Sequence, residues 1–221
     1  MYPAPFRYHR MASIDEAIAC LTDIGDGARV LAGGQTLLVW LKLRFDEPTD
    51  LVDIARIPGL DGIEHDASQV RVGALATHAR IARSSLARAL PIVSDCANGI
   101  ADNQVRSRGT MGGSLAAGDP SCDWPVLLTA MDATVHTHGP GGVRSLPANG
   151  FIADLYTTQL KAGELITGVS FAVPGKGTAG AYVAFKRAAP AYPTNSVAVP
   201  RTISLSKRVR ISSNKAASPS R

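Results

Sequence analysis

A glycine-rich stretch at residues 106–125 constrains this chain more than any other part of its sequence. Its glycines lie among hydroxyl side chains, two arginines and two aspartates and are Gly109, Gly112, Gly113 and Gly118. Glycine lets a backbone approach a ligand closely, and consecutive N–H groups in such a loop form a concave cradle for an anion. Asp119 and Asp123 instead suit hydroxyl or amide donors. The stretch therefore predicts a ligand with a phosphate part and a polyol or heterocyclic part.

A second glycine segment lies near the N-terminus. The pattern predicts a short buried strand at residues 30–32, a turn at 33–36 and a helix at 37–43. Free N–H groups and the helix dipole favour an anion where a helix begins after such a turn. An ordinary tight turn is the alternative reading of Gly33 and Gly34. Neither the Rossmann fingerprint nor the Walker loop is present.

Length and cysteine content narrow the class of protein. A chain of 221 residues, 45% hydrophobic, suits one large domain or two small ones with a real core. No apolar run approaches the ~20 residues that cross a bilayer, and the N-terminus has no apolar signal core. Cys20, Cys96 and Cys122 are widely spaced, which favours reduced thiols over a disulfide framework, a zinc site or an iron–sulfur site. We therefore expect a cytoplasmic protein without an integral membrane segment.

The net charge of +5 is unevenly distributed. Residues 200–221 contain six basic residues and no acidic one, and the rest of the chain is close to neutral. This Ser-rich, weakly apolar end is typical of a disordered segment. It lacks interleaved aromatic residues, so we expect no binding of nucleic acid.

Hydrophobic periodicity predicts an α+β layout of two subdomains with a ligand between them. Ser13 is predicted to cap a helix at 13–22, and Thr77 one that runs to residue 84. Further helices are predicted at 86–100 and 125–131, with a short one at 151–155. The predicted strands are 49–54, 68–74, 133–137, 164–173 and 180–186. The predicted units are residues 1–57, residues 58–187 and an atypical basic, Ser-rich tail at 188–221 that is expected to be disordered.

The histidines do not indicate a catalytic or metal site. His65, His78, His136 and His138 are most simply surface or loop residues. His136 and His138 alternate on a predicted strand and so share one face, but no third ligand is evident. We therefore expect no metal in this chain and nominate no catalytic residue.

Five motifs in fixed order resemble the FAD-binding medium subunit of molybdenum hydroxylases, the group of carbon monoxide dehydrogenase medium chains and xanthine dehydrogenase flavin subunits. The resemblance covers roughly residues 1–187 and implies an FAD-binding fold of the vanillyl-alcohol-oxidase (PCMH) type with two subdomains. The motifs are Ala32-Gly-Gly-Gln-Thr-Leu37, Val72-Gly-Ala-Leu-Ala-Thr-His78, the stretch from Arg108 to Pro125, Gly163-Glu-Leu-Ile-Thr167 and Phe185-Lys-Arg187.

The resemblance also implies which residues bind FAD. Asp123 would hydrogen-bond ribityl or ribose hydroxyls, Ile166 would pack beside the cofactor, and Lys186 would reach a polar edge of the flavin. Val72 and Thr77 would line the cofactor cleft. One half of the pyrophosphate cradle would be Val30, Leu31, Ala32, Gly33, Gly34, Gln35, Thr36 and Leu37, and the other half Thr110, Met111, Gly112, Gly113 and Ser114.

The same resemblance implies a role and partners. The chain would be an oxidoreductase subunit that passes electrons from iron–sulfur clusters through FAD to an external acceptor. Its partners would be a molybdenum-cofactor large subunit and a [2Fe-2S] small subunit, assembled as a dimer of heterotrimers.

Two departures from the family pattern leave alternatives open. Ser114 stands where asparagine is usual, which predicts a modest loss of FAD affinity. The family's third α+β domain is missing downstream of about residue 190, which suggests a truncated or frameshifted reading frame. One alternative is therefore a non-catalytic remnant or assembly piece that binds FAD weakly or not at all. The other is a stand-alone flavin oxidoreductase of the same fold.

Overall fold

The N-terminal part of the chain forms a three-stranded parallel sheet. The structure, a computed structural model, describes residues 2–188 and 191–202. Strands β1 (Arg7–Arg10), β2 (Ala28–Leu31) and β3 (Asp50–Asp53) lie in the order β1-β3-β2. Parallel neighbours need a crossover connection, which helices α1 (Ile14–Ile24) and α2 (Leu37–Leu43) supply. The predicted cap of α1 is confirmed, since Ser13 Oγ accepts from the Glu16 N–H at 3.1 Å.

A five-stranded antiparallel sheet forms the second layer of the molecule. Its strands are β4 (Ile63–His65), β5 (Gln69–Gly73), β6 (Thr134–Gly139), β7 (Gly142–Pro147) and β10 (Leu165–Ala172), in the order β4-β5-β10-β6-β7. A short hairpin of β8 (Ile152–Asp154) and β9 (Thr157–Thr158) lies between β7 and β10 in the chain. Because side chains alternate along β5, Val70 and Val72 are buried while Arg71 is exposed. The α+β expectation is confirmed.

Six helices connect β5 to β6, and five of them contribute buried residues to the core that they share with this sheet. They are α3 (His78–Arg83), α4 (Ser85–Ala89), α5 (Pro91–Gly99), α6 (Asn103–Arg108), α7 (Met111–Ala116) and α8 (Asp123–Ala130). Thr77 Oγ1 accepts from the Arg80 N–H at 3.2 Å, which confirms the predicted cap of α3. In the described ranges no helix has both the length and the apolar character needed to cross a membrane.

Three sequence expectations about this region are wrong. The glycine-rich stretch is largely helical, because Asp102 caps α6 and Thr110 caps α7. The predicted helix at 86–100 is two helices, since Pro91 has no N–H to continue a ladder and begins α5 instead. The segment at 151–155 is a strand, anchored by Phe151, whose side chain is 1% exposed.

A two-stranded ribbon replaces part of the predicted disordered tail. Strand β11 (Thr178–Phe185) pairs antiparallel with β12 (Asn195–Thr202), although the sequence predicted disorder from residue 188. Pro200 is tolerated in β12 because each strand of a two-stranded ribbon has a free edge. The ribbon packs on α5, where a Cβ on Gly180 would lie 3.0 Å from Ile92 Cδ1. Residues 189–190 and 203–221 of the predicted tail lie outside the described residues.

The described residues form two hydrophobic cores. One surrounds α1 and the parallel sheet and runs from Met11 to Leu60, with Leu75 and Leu165 added from the second layer. The other fills the space between the antiparallel sheet and its helices and includes Trp124 and Phe151. The first core includes residues on both sides of residue 57, and the domain boundaries expected from the sequence stay a prediction.

Gly112 is required by packing in this arrangement. A Cβ at this position would lie 2.6 Å from Ala74 Cβ and 3.0 Å from the Ala74 oxygen. We predict that Gly112→Ala lowers the free energy of unfolding by about 1–3 kcal/mol, as overpacking does, measured by urea denaturation. Gly99→Ala is the matched control, because no heavy atom lies within 4 Å of its added Cβ. The control should be neutral or slightly stabilising, and equal losses in both variants would contradict the packing argument.

Candidate functional site

A cavity of about 540 Å³ lies between the two cores. Its wall combines the turn after β2, helix α2, the N-terminal residues of α7 and the start of α8. Ile166 on β10 and Tyr156 after β8 close other sides. The volume is in the range of sites for small molecules and cofactors.

The turn after β2 carries unused hydrogen-bond donors. In the described part of the chain, the backbone N–H groups of residues 33–37 donate to no acceptor. Gly34 has a φ of +76°, which reverses the chain direction at the cavity wall. Consecutive free N–H groups at the start of a helix form a site for an anion. This part of the predicted cradle therefore has the required donors.

Gly33 joins this turn to the second layer of the molecule. A Cβ at position 33 would collide with the Arg108 carbonyl oxygen and lie 3.1 Å from Gly109 Cα. Glycine is therefore needed here for the contact between the two subdomains. The sequence interpretation placed this glycine in an anion-binding turn, with an ordinary tight turn as the alternative.

The N–H groups at the start of α7 already have acceptors. Met111 donates to the Ala76 oxygen at 3.0 Å, Gly112 to the Ala74 oxygen at 2.8 Å, and Gly113 to Thr110 Oγ1 at 3.1 Å. The first two bonds connect α7 to the residues that follow β5, and the third belongs to the cap of α7. They leave residues 33–37 as the better donor set for an anion.

Asp123 is the buried carboxylate of the cavity. It begins α8, is 4% exposed, and lines the cavity wall. Its Oδ1 accepts from the Tyr182 hydroxyl at 2.7 Å and lies 3.7 Å from Lys186 Nζ. Burial, and then the bond to Asp123, raise the pKa of Tyr182 well above its ordinary value. The carboxylate is thus held in place while it faces the cavity.

His78 is buried, contrary to the expectation of a surface or loop residue. It is 4% exposed, and its Nδ1 accepts a hydrogen bond from Trp124 Nε1 at 3.0 Å. Burial, helped by the nearby Arg106, lowers the pKa of His78 to about 4. The imidazole is therefore neutral at physiological pH, and it also lines the cavity.

The structure brings most of the predicted site residues to one cavity. Those in its wall are Val30, Ala32, Gly33, Gly34, Gln35, Thr36, Leu37, Thr110, Gly112, Gly113, Ser114, Asp123 and Ile166. The predicted residues outside its wall are Leu31, Val72, Thr77, Met111 and Lys186.

The five predicted residues that do not line the cavity have other contacts in the fold. Met111 is a core residue that is 1% exposed, and Val72 lines a smaller cavity beside the antiparallel sheet. Lys186 donates to the Gly99 oxygen, and Thr77 caps α3. Leu31 ends β2 and pairs with Asp53. Their roles in binding stay predictions.

Sequence reasoning missed several residues of the cavity wall. Trp40 and Tyr156 meet edge to face with ring centroids 5.4 Å apart, and both line the cavity. Tyr192 reaches it from the segment that was predicted to be disordered. His78 ends the Val72–His78 motif, which is the one signal in the sequence that could have identified it. The aromatic residues gave no signal, because lone aromatic residues are ordinary in cores.

The histidines and cysteines were expected to hold no metal, and that expectation stays a prediction. Within the described residues, no group of three His, Cys, Asp or Glu side chains could hold a metal ion. His136 instead contacts Ser145 and Ser170 at 3.1 and 2.7 Å. Cys20, Cys96 and Cys122 are free, and burial raises the pKa of the Cys122 thiol to about 11.

The depressed pKa of His78 predicts a dependence of stability on pH. An unfolded chain protonates His78 near its ordinary pKa of 6.5, whereas the folded chain resists protonation down to about 4. The folding stability that depends on an uncharged His78 is therefore fully present above pH 6.5, and it is lost as the pH falls from 6.5 to about 4. We predict that His78→Gln makes the free energy of unfolding less dependent on pH in this window. Urea denaturation at several pH values measures it, and identical slopes would contradict the assignment.

Known proteins are similar in sequence to most of this chain. The chain is 42% identical over 188 residues to the carbon monoxide dehydrogenase medium chain of Hydrogenophaga pseudoflava, covering 85% of this chain and 66% of the relative. It is 40% identical over 213 residues to the carbon monoxide dehydrogenase medium chain of Afipia carboxidovorans, covering 96% and 74%. The chain thus spans about two thirds to three quarters of these curated relatives.

Solved structures and a family model agree with that similarity. Reconstituted CO dehydrogenase from Oligotropha carboxidovorans superposes with a TM-score of 0.90 at 39% identity, over 92% of this chain and 72% of that chain. Residues 4–174 match the family described as the FAD binding domain in molybdopterin dehydrogenase. The resemblance seen in the motifs is confirmed, and the chain belongs to this family of FAD-binding domains.

Proposed function

We propose that this chain is the flavin subunit of a multi-subunit molybdenum hydroxylase, an oxidoreductase. In this role it takes electrons from iron–sulfur clusters of a partner and passes them through FAD to an external acceptor. The observation that carries the proposal is the row of free N–H groups at residues 33–37, which faces a cavity between two cores in a chain of this family.

The residues of the cavity fit FAD. The N–H groups of residues 33–37 are suited to the pyrophosphate, which is anionic. Asp123 offers a fixed carboxylate to ribityl or ribose hydroxyls, and Ile166 offers an apolar surface to a ring. When bound, FAD supplies the redox chemistry. The protein's own contribution is to bind and orient the cofactor and to exclude water from its buried parts.

The proposal includes two partner subunits and a compartment. The names of the relatives, such as medium chain, describe parts of larger assemblies. We propose a molybdenum-cofactor subunit and a [2Fe-2S] subunit as partners, in a dimer of heterotrimers. We also place the assembly in the cytoplasm, where free thiols such as Cys96 are stable.

Purification of the tagged full chain from its own cells tests the proposal. We predict flavin absorbance in the purified material, release of FAD on denaturation, and co-purification of subunits that contain molybdenum and iron–sulfur clusters. A flavin-loaded chain that purifies alone would instead support a stand-alone flavoprotein. Colourless protein that does not bind added FAD, alone or with its co-purified subunits, would contradict the proposal.

Asp123 allows a test at the level of one residue. We predict that Asp123→Asn lowers the affinity for FAD by about tenfold, since an amide is a weaker acceptor than a fixed carboxylate. Asp119→Asn is the matched control. Asp119 is also buried, but it accepts from the Ser121 N–H at 2.8 Å and does not line the cavity.

Flavin fluorescence titration of both variants measures the effect. The control should keep wild-type affinity. Equal losses in the two variants would show that Asp123 does not contact the cofactor, because both substitutions remove one buried charge from the same segment of the chain.

A further inference from the structure

We infer that His78 is a further cofactor-binding residue, a neutral donor whose Nε2–H bonds a pyrophosphate oxygen of FAD. Trp124 is the positioning residue that fixes its tautomer. The inference rests on the proposed function, because it assigns a role inside the same cavity. It adds a side-chain donor from the second subdomain to a cradle that otherwise consists of backbone N–H groups.

The contact with Trp124 determines which nitrogen of His78 carries the proton. An indole N–H only donates, so the 3.0 Å bond from Trp124 Nε1 makes His78 Nδ1 an acceptor. In a neutral imidazole the proton then lies on Nε2. Trp124 is itself 1% exposed, so this geometry is held by the core.

The Nε2–H of His78 lacks an acceptor in the described part of the chain. The residue is 4% exposed, yet it lines the cavity, and the only side-chain hydrogen bond that it makes among the described residues is the one from Trp124 to Nδ1. Since every fully buried side-chain nitrogen or oxygen in the described residues has a partner, Nε2 is not fully buried, and it belongs to a residue of the cavity wall. A ligand that places an acceptor in the cavity beside Nε2 would take this hydrogen bond in place of water.

Gly109 packs against the imidazole edge of His78. A Cβ on Gly109 would lie 2.8 Å from His78 Nε2, so only glycine leaves the imidazole edge uncovered at this point. Gly109 Cα in turn lies 3.1 Å from the position of a Cβ on Gly33, the first residue of the free N–H row. Gly109 therefore packs against both the imidazole edge and the turn that carries the free N–H row, and all three line the same cavity.

The charges around His78 favour an anionic acceptor. Arg106 is the charged group that lowers the pKa of His78, after burial. Its guanidinium donates to the Ile100 oxygen at 2.6 Å and the Ala101 oxygen at 3.0 Å, so its positive charge is fixed near the cavity. A positive charge and a neutral N–H donor together suit a phosphate oxygen better than a cation or an amide N–H.

Titration calorimetry of the purified assembly, depleted of flavin, with FAD and with ADP tests the inference. ADP carries the pyrophosphate without the flavin. We expect His78→Phe to weaken binding of both ligands by about tenfold, the value of one hydrogen bond. His78→Gln keeps an N–H donor of similar reach and should recover most of the affinity. His136→Gln is the control, because His136 lies outside this cavity, and it should bind like wild type.

Thermal unfolding and ³¹P NMR separate binding from folding. His78→Phe leaves the Trp124 N–H without an acceptor, so the double variant His78→Phe with Trp124→Phe removes that cost and should unfold closer to wild type, while it still binds weakly. The ³¹P resonances of bound FAD should shift in His78→Phe and stay in place in His136→Gln.

The outcomes distinguish this inference from the proposed function. Wild-type affinity in His78→Phe, or a loss for FAD without a loss for ADP, overturns the pyrophosphate contact and leaves the flavin role intact. A wild-type assembly that binds neither FAD nor ADP overturns both.

Discussion

The contact between Gly33 and the backbone at residues 108–109 holds the site together. On one side of it lies the turn after β2, and on the other the residue that precedes the cap of α7. Any side chain at position 33 would separate the two elements, because the Arg108 carbonyl occupies the place of its Cβ. The cavity forms beside this contact, so its shape depends on two segments that are more than 70 residues apart in sequence.

Buried polar groups around the cavity are held by one another. Trp124 bonds His78, and Tyr182 and Lys186 hold Asp123. Such groups are costly in a core unless they are paired. In the described residues, every fully buried side-chain nitrogen or oxygen has a partner. The free N–H groups of residues 33–37 and the Nε2 of His78 belong to residues that line the cavity.

Local signals in the sequence were reliable where one chemical feature decided the structure. Ser13 and Thr77 cap helices as expected, since a hydroxyl before an apolar periodic run has few better partners. The strands at β5, β10 and β11 follow from alternation or continuous apolar runs.

The sequence signals failed where tertiary packing overrode composition. The glycine-rich stretch looked like a loop, but two caps and bonds to the residues after β5 make it helical. The segment of strand β12 was expected to be part of a disordered tail, yet it pairs with β11.

The sequence by itself determined the two glycine segments, the family they indicate, and thirteen of the residues that line the cavity. They depend on short motifs in a fixed order, in which the residue types alone indicate the kind of ligand that is bound. Only the tertiary structure decided what each glycine is for, which N–H groups are free, and that His78 is buried beside them. The reason is physical: whether a donor is free or used, and whether an imidazole is neutral, depends on groups brought close by folding.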